Sequence, residues 1–191
     1  MPGRSRRRVS VRLSIVARVG QAFWIDTPAP AEAPEVARVH VRTWRETYGD
    51  ILADRFYGAT ALQWRTQFWT RVLTSAGPDY PAAVARTPDG IVGLALTGPT
   101  RPPPGFSRRA PEQLFILYVL AAWHGRGVGQ ALLDTVLDAR TAELWVARDN
   151  LRARVFYTRN GFEPDGDERV DADFDGLVEV RMVRGLRDED A

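Results

Sequence analysis

Two residue types are missing from this 191-residue chain and a third is scarce. There is no cysteine, which excludes structural disulfides, a thiolate nucleophile and any cysteine-based zinc site. There is no lysine: all 26 basic residues are arginine, so the chain forms no Schiff base of its own and lacks the lysine of a Walker-type phosphate loop. Histidine appears only as His40 and His124, too few for a multi-histidine centre, and no metal is expected. No apolar run approaches the roughly 20 residues of a membrane-crossing helix, so no membrane partner is expected and the chain reads as cytoplasmic.

What is present describes one domain. An apolar fraction of 45% suits a single hydrophobic core at this length. Charge is uneven: residues 1–25 hold six arginines and no acid, while the rest of the chain carries 20 arginines against 24 acids. Arg6-Arg7 before an apolar stretch has a faint likeness to a twin-arginine signal, but Arg12 and Arg18 interrupt it and no small-residue cleavage site follows. The expected organisation is a basic extension over 1–25, flexible or contributing a weak first strand over 9–25; a domain over 26–186; and an acidic tail over 187–191. The extension is read as such rather than as a nucleic-acid arm, and no nucleic-acid partner is expected.

Periodicity predicts helices over 34–48, from Val36, Val39, His40, Thr43, Trp44 and Thr47, and over 59–75, from Leu62, Trp64, Phe68, Trp69, Val72 and Leu73. Two apolar stretches, 82–86 and 91–96, flank Pro88-Asp-Gly90 as a hairpin. A proline-rich connection over 100–105 leads to the apolar strand 114–120 and the turn His124-Gly-Arg-Gly-Val-Gly129. A helix from 130 to about 140, a short strand over 143–147 and a helix opening at Asn150 follow. An acidic loop then precedes strands over 169–174 and 177–183, joined at Asp175-Gly176.

A strand that feeds a glycine-rich turn at a helix N-terminus gathers free backbone N–H groups at the positive end of the helix dipole, which is phosphate-binding chemistry. The dinucleotide fingerprint G-x-G-x-x-G/A fails here: counted from Gly125 its last position is Gln130, and from Gly127 it is Leu132. What remains, x-G-x-G-x-G, resembles another family once the next block is added. His124-Gly-Arg-Gly127-Val-Gly129 is similar to the pyrophosphate motif Arg/Gln-x-x-Gly-x-Gly/Ala, with His in the first place. Asn150, Ala153, Phe156, Tyr157, Gly161 and Phe162 fit Asn-x-x-Ala-x-x-Phe-Tyr-x-x-x-Gly-Phe. Together they resemble the GNAT superfamily of acyl-CoA-dependent N-acetyltransferases, and residues 36–48 look like its first helix.

The resemblance implies an α/β fold: a central mixed β-sheet splayed at its middle strands, near Leu114 and Glu143, and flanked by helices. It implies acetyl-CoA as co-substrate, held by Leu117, Tyr118, Val119, His124, Gly125, Arg126, Gly127, Val128, Gly129, Gln130, Asn150, Ala153, Phe156 and Tyr157. The Val119 N–H would bond the thioester carbonyl, where an oxyanion develops. Tyr157 would act as general acid towards the departing thiolate, unless it is only an aromatic in the helix seam. Asn150 reads equally as cofactor contact and as helix N-cap. The base is open among Glu112, Glu46 and a water chain, since Gln113 rather than Glu112 aligns with the family's glutamate and a one-residue shift reverses a strand's face.

The implied acceptor is a small-molecule or peptide amine. Seven acids in residues 163–175 point to a cationic one, with Asp171, Asp173 and Asp175 as its contacts, unless the segment is an ordinary solvated loop. Trp44, Tyr48, Trp64 and Trp69 are candidates for lining its pocket. A homodimer is compatible with the superfamily. The other class of function is a non-catalytic acyl-CoA-binding module on the same fold.

Overall fold

The computed structural model describes residues 22–185, apart from 76 and 78. The expectations for residues 1–21 and for the 187–191 tail lie outside the described residues. Seven strands form one sheet in the order β1-β2-β3-β4-β5-β7-β6. They are β1 (Trp24–Asp26), β2 (Ala82–Thr87), β3 (Gly90–Pro99), β4 (Glu112–Val119), β5 (Ala142–Ala147), β6 (Phe162–Asp171) and β7 (Leu177–Arg184). Four helices join them: α1 (Ala33–Tyr48), α2 (Ala59–Ser75), α3 (Val128–Val136) and α4 (Leu151–Arg159). No helix among the described residues is long and apolar enough to cross a membrane.

Local sequence explains most of these elements. Pro34 occupies the first turn of α1, where its missing N–H costs nothing, and Val36, Val39, His40, Thr43 and Trp44 form the buried stripe behind it. Gly90, at φ 126°, closes the β2–β3 hairpin, and the Thr87 hydroxyl bridges the turn to the Asp89 N–H at 3.1 Å. β3 is buried on both faces, as a central strand must be. Its Gly93 is needed for close approach: a Cβ there would lie 3.0 Å from Leu132 of α3 and 3.1 Å from the Tyr118 carbonyl oxygen. Leu132, Leu133 and Val136 press α3 onto the sheet, each burial contributing about 1.5–3 kcal/mol.

All neighbouring strands run antiparallel except β4 and β5. Those two are parallel and pair only at Glu112↔Ala142 and Gln113↔Glu143, after which they diverge into a V. The closed end of the V is stitched by side chains. Fully buried Glu143 accepts the N–H groups of Arg109 at 2.7 Å and Ala110 at 3.0 Å, and Gln113 Oε1 accepts that of Arg101 at 3.1 Å. The 100–111 connection is thereby pinned across the base of the V.

Three elements depart from the sequence-based expectation. The strand expected over 169–174 ends at Asp171, whose side chain accepts the Asp173 N–H and turns Ala172–Phe174 into a 3-10 helix. α3 stops at Val136 instead of continuing to about 140, because Leu137 leaves helical geometry and Asp138 turns left-handed at φ 51°. The acidic stretch 163–168, expected as a loop, belongs to strand β6, with a register shift between Pro164 and Glu168. The reason is Arg181 on β7, whose side chain is fully buried. Asp165 meets its Nε at 2.7 Å, Asp167 meets its other arm, and the Ser107 carbonyl accepts at 2.7 Å. A buried guanidinium needs such partners, and the strand bulges to supply two carboxylates.

Candidate active site

The V opens into a cleft of about 680 Å³, bounded by β4, β5, the start of α3 and the inner side of α4. One end is an anion cradle. Gly125 and Gly127 adopt φ of 73° and 82°, where any side chain would strain the backbone. The first helical bond of α3 runs from the Ala131 N–H to the Gly127 carbonyl at 3.0 Å, and no side chain caps the helix. The N–H groups of Val128, Gly129 and Gln130 are therefore left for a ligand, at the positive end of the dipole. A Cβ on Gly129 would touch Phe156 at an ordinary 3.7 Å, and one on Gly125 would meet nothing within 4 Å, so the space above the turn is open.

Along β4 the backbone alternates between its two edges. The Leu120 N–H donates to Val92 of β3 at 2.9 Å, so the N–H and carbonyl of Val119 point to the opposite edge, into the cleft. The Val119 carbonyl accepts from His124 Nε2 at 2.8 Å, while Arg152 of α4 donates to His124 Nδ1. Both ring nitrogens are thus engaged, with the proton on Nε2. Leu117, Tyr118, Val119, His124 and the three glycines all line the cleft, as do Asn150, Ala153, Phe156 and Tyr157. Asn150 caps α4, its Oδ1 accepting the Ala153 N–H at 3.1 Å.

The phenols at the opposite end are shielded from water. Burial raises the Tyr157 pKa strongly, and neighbouring Tyr48 raises it further. Tyr118 is pushed well above its ordinary value, first by burial and then by Tyr48, Tyr157 and Glu179. Tyr48 is raised by burial, with Asn150 offsetting part of the effect. All three are neutral O–H groups across ordinary assay conditions. Around them, Trp44 packs against Tyr48 (5.4 Å between centroids) and Phe174 (4.7 Å) in a second aromatic cluster.

Several expected residues fall elsewhere. Glu112 does not line the cleft: it sits at the closed end of the V, its Oε1 3.0 Å from Arg140. Glu46 is also committed, accepting the Ala121 N–H at 2.8 Å and Arg42 Nε at 3.0 Å. Arg126 is exposed and stacked 5.1 Å over the Trp123 ring instead of lining the cradle. The basic side chains that do line the cleft are Arg152 and Arg159. Gln130 also lines the cleft, its Nε2 donating to Asp134 at 2.7 Å and to Asn160 at 2.8 Å. Of the four aromatics proposed for the acceptor pocket, Tyr48 alone lines the cleft. Trp44 stands behind it, Trp64 is exposed, and Trp69 is fully buried with its Nε1 donating to His40 at 3.2 Å.

The acids of 163–175 are largely consumed internally. Besides the two on Arg181, Asp171 pairs with Arg169 at 3.2 Å and Asp175 with Arg55. The carboxylate that does line the cleft is Glu179, which no motif singled out. Its register opposite Ala147, the last residue of β5, puts it at the open mouth of the V. Arg169 Nε grips its Oε2 at 2.7 Å, yet burial outweighs that cation and raises the carboxyl pKa.

Residues 78–164 match the family model of the acetyltransferase (GNAT) domain. A Mycobacterium tuberculosis protein named as an N-acetyltransferase is 27% identical over 143 residues, covering 72% of this chain and 78% of its own. Among solved structures, the Corynebacterium glutamicum protein described as histone acetyltransferase HPA2 and related acetyltransferase superposes with a TM-score of 0.63 at 22% identity, over 88% of this chain and 99% of that one. The Salmonella typhimurium protein yncA, solved with its cofactor acetyl-CoA, gives 0.62 at 19% identity, over 90% and 98%.

Proposed function

We propose that this chain is an acyl-CoA-dependent N-acetyltransferase of the GNAT superfamily, whose domain model it matches, and that it moves an acetyl group from acetyl-CoA to a primary amine by direct transfer in a ternary complex. One observation carries the reading: an anion cradle, an inward-pointing backbone N–H and a buried neutral phenol share a single cleft. The N–H groups of Val128, Gly129 and Gln130 would hold the pyrophosphate, with Arg152 beside them. The free edge of β4 at Leu117 and Val119 would hold the pantetheine arm, as a strand would.

The chemistry then follows from position. The amine nitrogen attacks the thioester carbon, and the carbonyl oxygen becomes an oxyanion facing the Val119 N–H. One such donor is worth about 10²–10³ in rate. The C–S bond breaks as Tyr157 donates its proton to sulfur, a step worth about 10²–10⁴. Burial keeps Tyr157 protonated, as a general acid must be. With five of the seven 163–175 acids paired to arginines, all but Glu163 and Asp173, a cationic acceptor would be drawn by Glu179 at the mouth.

The test is calorimetric titration with acetyl-CoA, followed by coenzyme A release with spermidine, tyramine and an alanine-initiated peptide. A thiol reagent reads the product without background, because the chain has no cysteine. Micromolar binding and release with at least one amine is the expected result. A folded protein that binds no acetyl-CoA overturns the proposal.

A further inference from the structure

We infer that Glu179 is the general base that takes the proton from the acceptor ammonium, an assignment that rests on the acetyl-transfer reading above. The argument begins with exclusion. Glu179 is the carboxylate lining the cleft among the described residues. The imidazole that shares the lining, His124, has both nitrogens engaged by Val119 and Arg152, beside the cradle. Glu46 and Glu112 are bound outside the cleft.

Geometry supplies the positive case. Glu179 stands opposite Ala147, whose carbonyl accepts the Asn150 N–H at 3.0 Å, so it flanks the turn that starts α4 and carries Tyr157. It lines the same cleft as the phenols of Tyr48, Tyr118 and Tyr157. Arg169 holds Oε2 only, and Oε1 has no hydrogen-bond partner among the described residues. The groups facing the carboxylate are Arg169 and Asp171 from β6, Tyr48 from α1 and Tyr118 from β4, with Arg181 two positions along β7. The arginines are permanent cations and the phenols stay neutral. Burial lifts the carboxyl pKa towards that of the amine, which makes the transfer less uphill.

The protons balance. Glu179 Oε1 accepts one proton from R–NH3⁺, and the freed lone pair forms the C–N bond. As C–S breaks, sulfur takes the Tyr157 proton. The second nitrogen proton, released after attack, restores Tyr157, and Glu179 passes its own to solvent as the one net proton of the reaction.

The experiment compares wild type, Glu179→Gln and Glu179→Asp by acetyl-CoA affinity and by kcat/KM against pH, with whichever of spermidine, tyramine or the peptide turns over fastest. Glu179→Gln is expected to lower kcat about 100-fold at pH 7. Its deficit should narrow as pH approaches the amine's own pKa, where the free base needs no help. Glu179→Asp should recover part of the rate, and acetyl-CoA affinity should stay within twofold. Parallel pH profiles, or a kcat change under twofold, overturn the assignment while leaving the acetyltransferase reading intact. Loss of acetyl-CoA binding in both variants makes Glu179 a structural residue and overturns it likewise. A wild type that releases no coenzyme A with any of the three amines overturns the underlying reading, and this inference with it.

Discussion

At one end of the cleft, Gly125 to Gln130 come from one short stretch of chain and present mainly backbone. At the other, Tyr48, Tyr118, Ala147 and Glu179 come from α1, β4, β5 and β7 and present side chains. A backbone cradle needs glycines at fixed spacing and an uncapped helix start, and little else. A side-chain constellation needs the whole sheet to be in register. The cofactor end should therefore tolerate uncharged changes that keep the turn and the open space above it, whereas the acceptor end can be retuned residue by residue.

The largest effect is expected where a charge enters the cradle. Gly129 is helical and its Cβ position is free of clashes, so Gly129→Asp strains no backbone. An acid in the first turn even favours the helix slightly. Facing a pyrophosphate, though, that carboxylate should weaken acetyl-CoA binding about 1,000-fold, or about 4 kcal/mol, as like-charge contacts do. Calorimetry combined with a thermal melt separates the two. Lost affinity with an unchanged melt supports the cradle, whereas unchanged affinity removes the pyrophosphate from α3.

Tyr157→Phe comes next, because Tyr157 is where the two ends meet. We expect kcat to fall about 100-fold, or about 2.7 kcal/mol, with acetyl-CoA affinity within twofold. Since burial raises the phenol's pKa, the wild-type rate should show no alkaline fall from Tyr157 at the ordinary tyrosine value near 10. A fall there would mean that the phenol is wetter than its surroundings indicate. A smaller change is expected for Tyr48→Phe: loss of one hydroxyl at the acceptor end should raise the amine KM about fivefold, about 1 kcal/mol. Steady-state kinetics at saturating acetyl-CoA reads it. An equal change in acetyl-CoA affinity would show that Tyr48, through Asn150, serves both ends.

The same contrast governs what the sequence disclosed. Glycine spacing and the Asn150 block were legible because their chemistry is local, and α1, α2 and the hairpin because period and turn residues agree. Glu179 was invisible, since only its register opposite Ala147 and the divergence of β4 from β5 bring it into the cleft. The acids of 163–168 misled for the opposite reason. Their partner Arg181 lies on the next strand, and nothing local says that it is buried. Arg126 was plausible by proximity in sequence, but the left-handed glycines on either side of it leave its guanidinium on Trp123.

The smallest effect tests whether the comparison is confined to the cleft. Arg86 on β2 clasps Glu32 with both arms, at 2.7 Å and 2.8 Å, and Asp26 on β1 at 3.0 Å, tying the far edge of the sheet to the start of α1. The Arg86 hydrogen bonds hold the Glu32 carboxyl below its ordinary pKa. A carboxyl with a depressed folded-state pKa stabilises the protein above its unfolded value and loses that contribution as pH falls through the folded one. Glu32→Gln should therefore cost roughly 0.5–1 kcal/mol at pH 7, the modest worth of a partly solvated pair. In denaturant titrations the gap to wild type should close on acidification below the usual carboxylate range. Its kcat and both KM values should not move, because the clasp touches neither end of the cleft. If they do move, α1 transmits strain from the sheet edge to Tyr48, and the acceptor end is coupled to a larger part of the fold than its own lining.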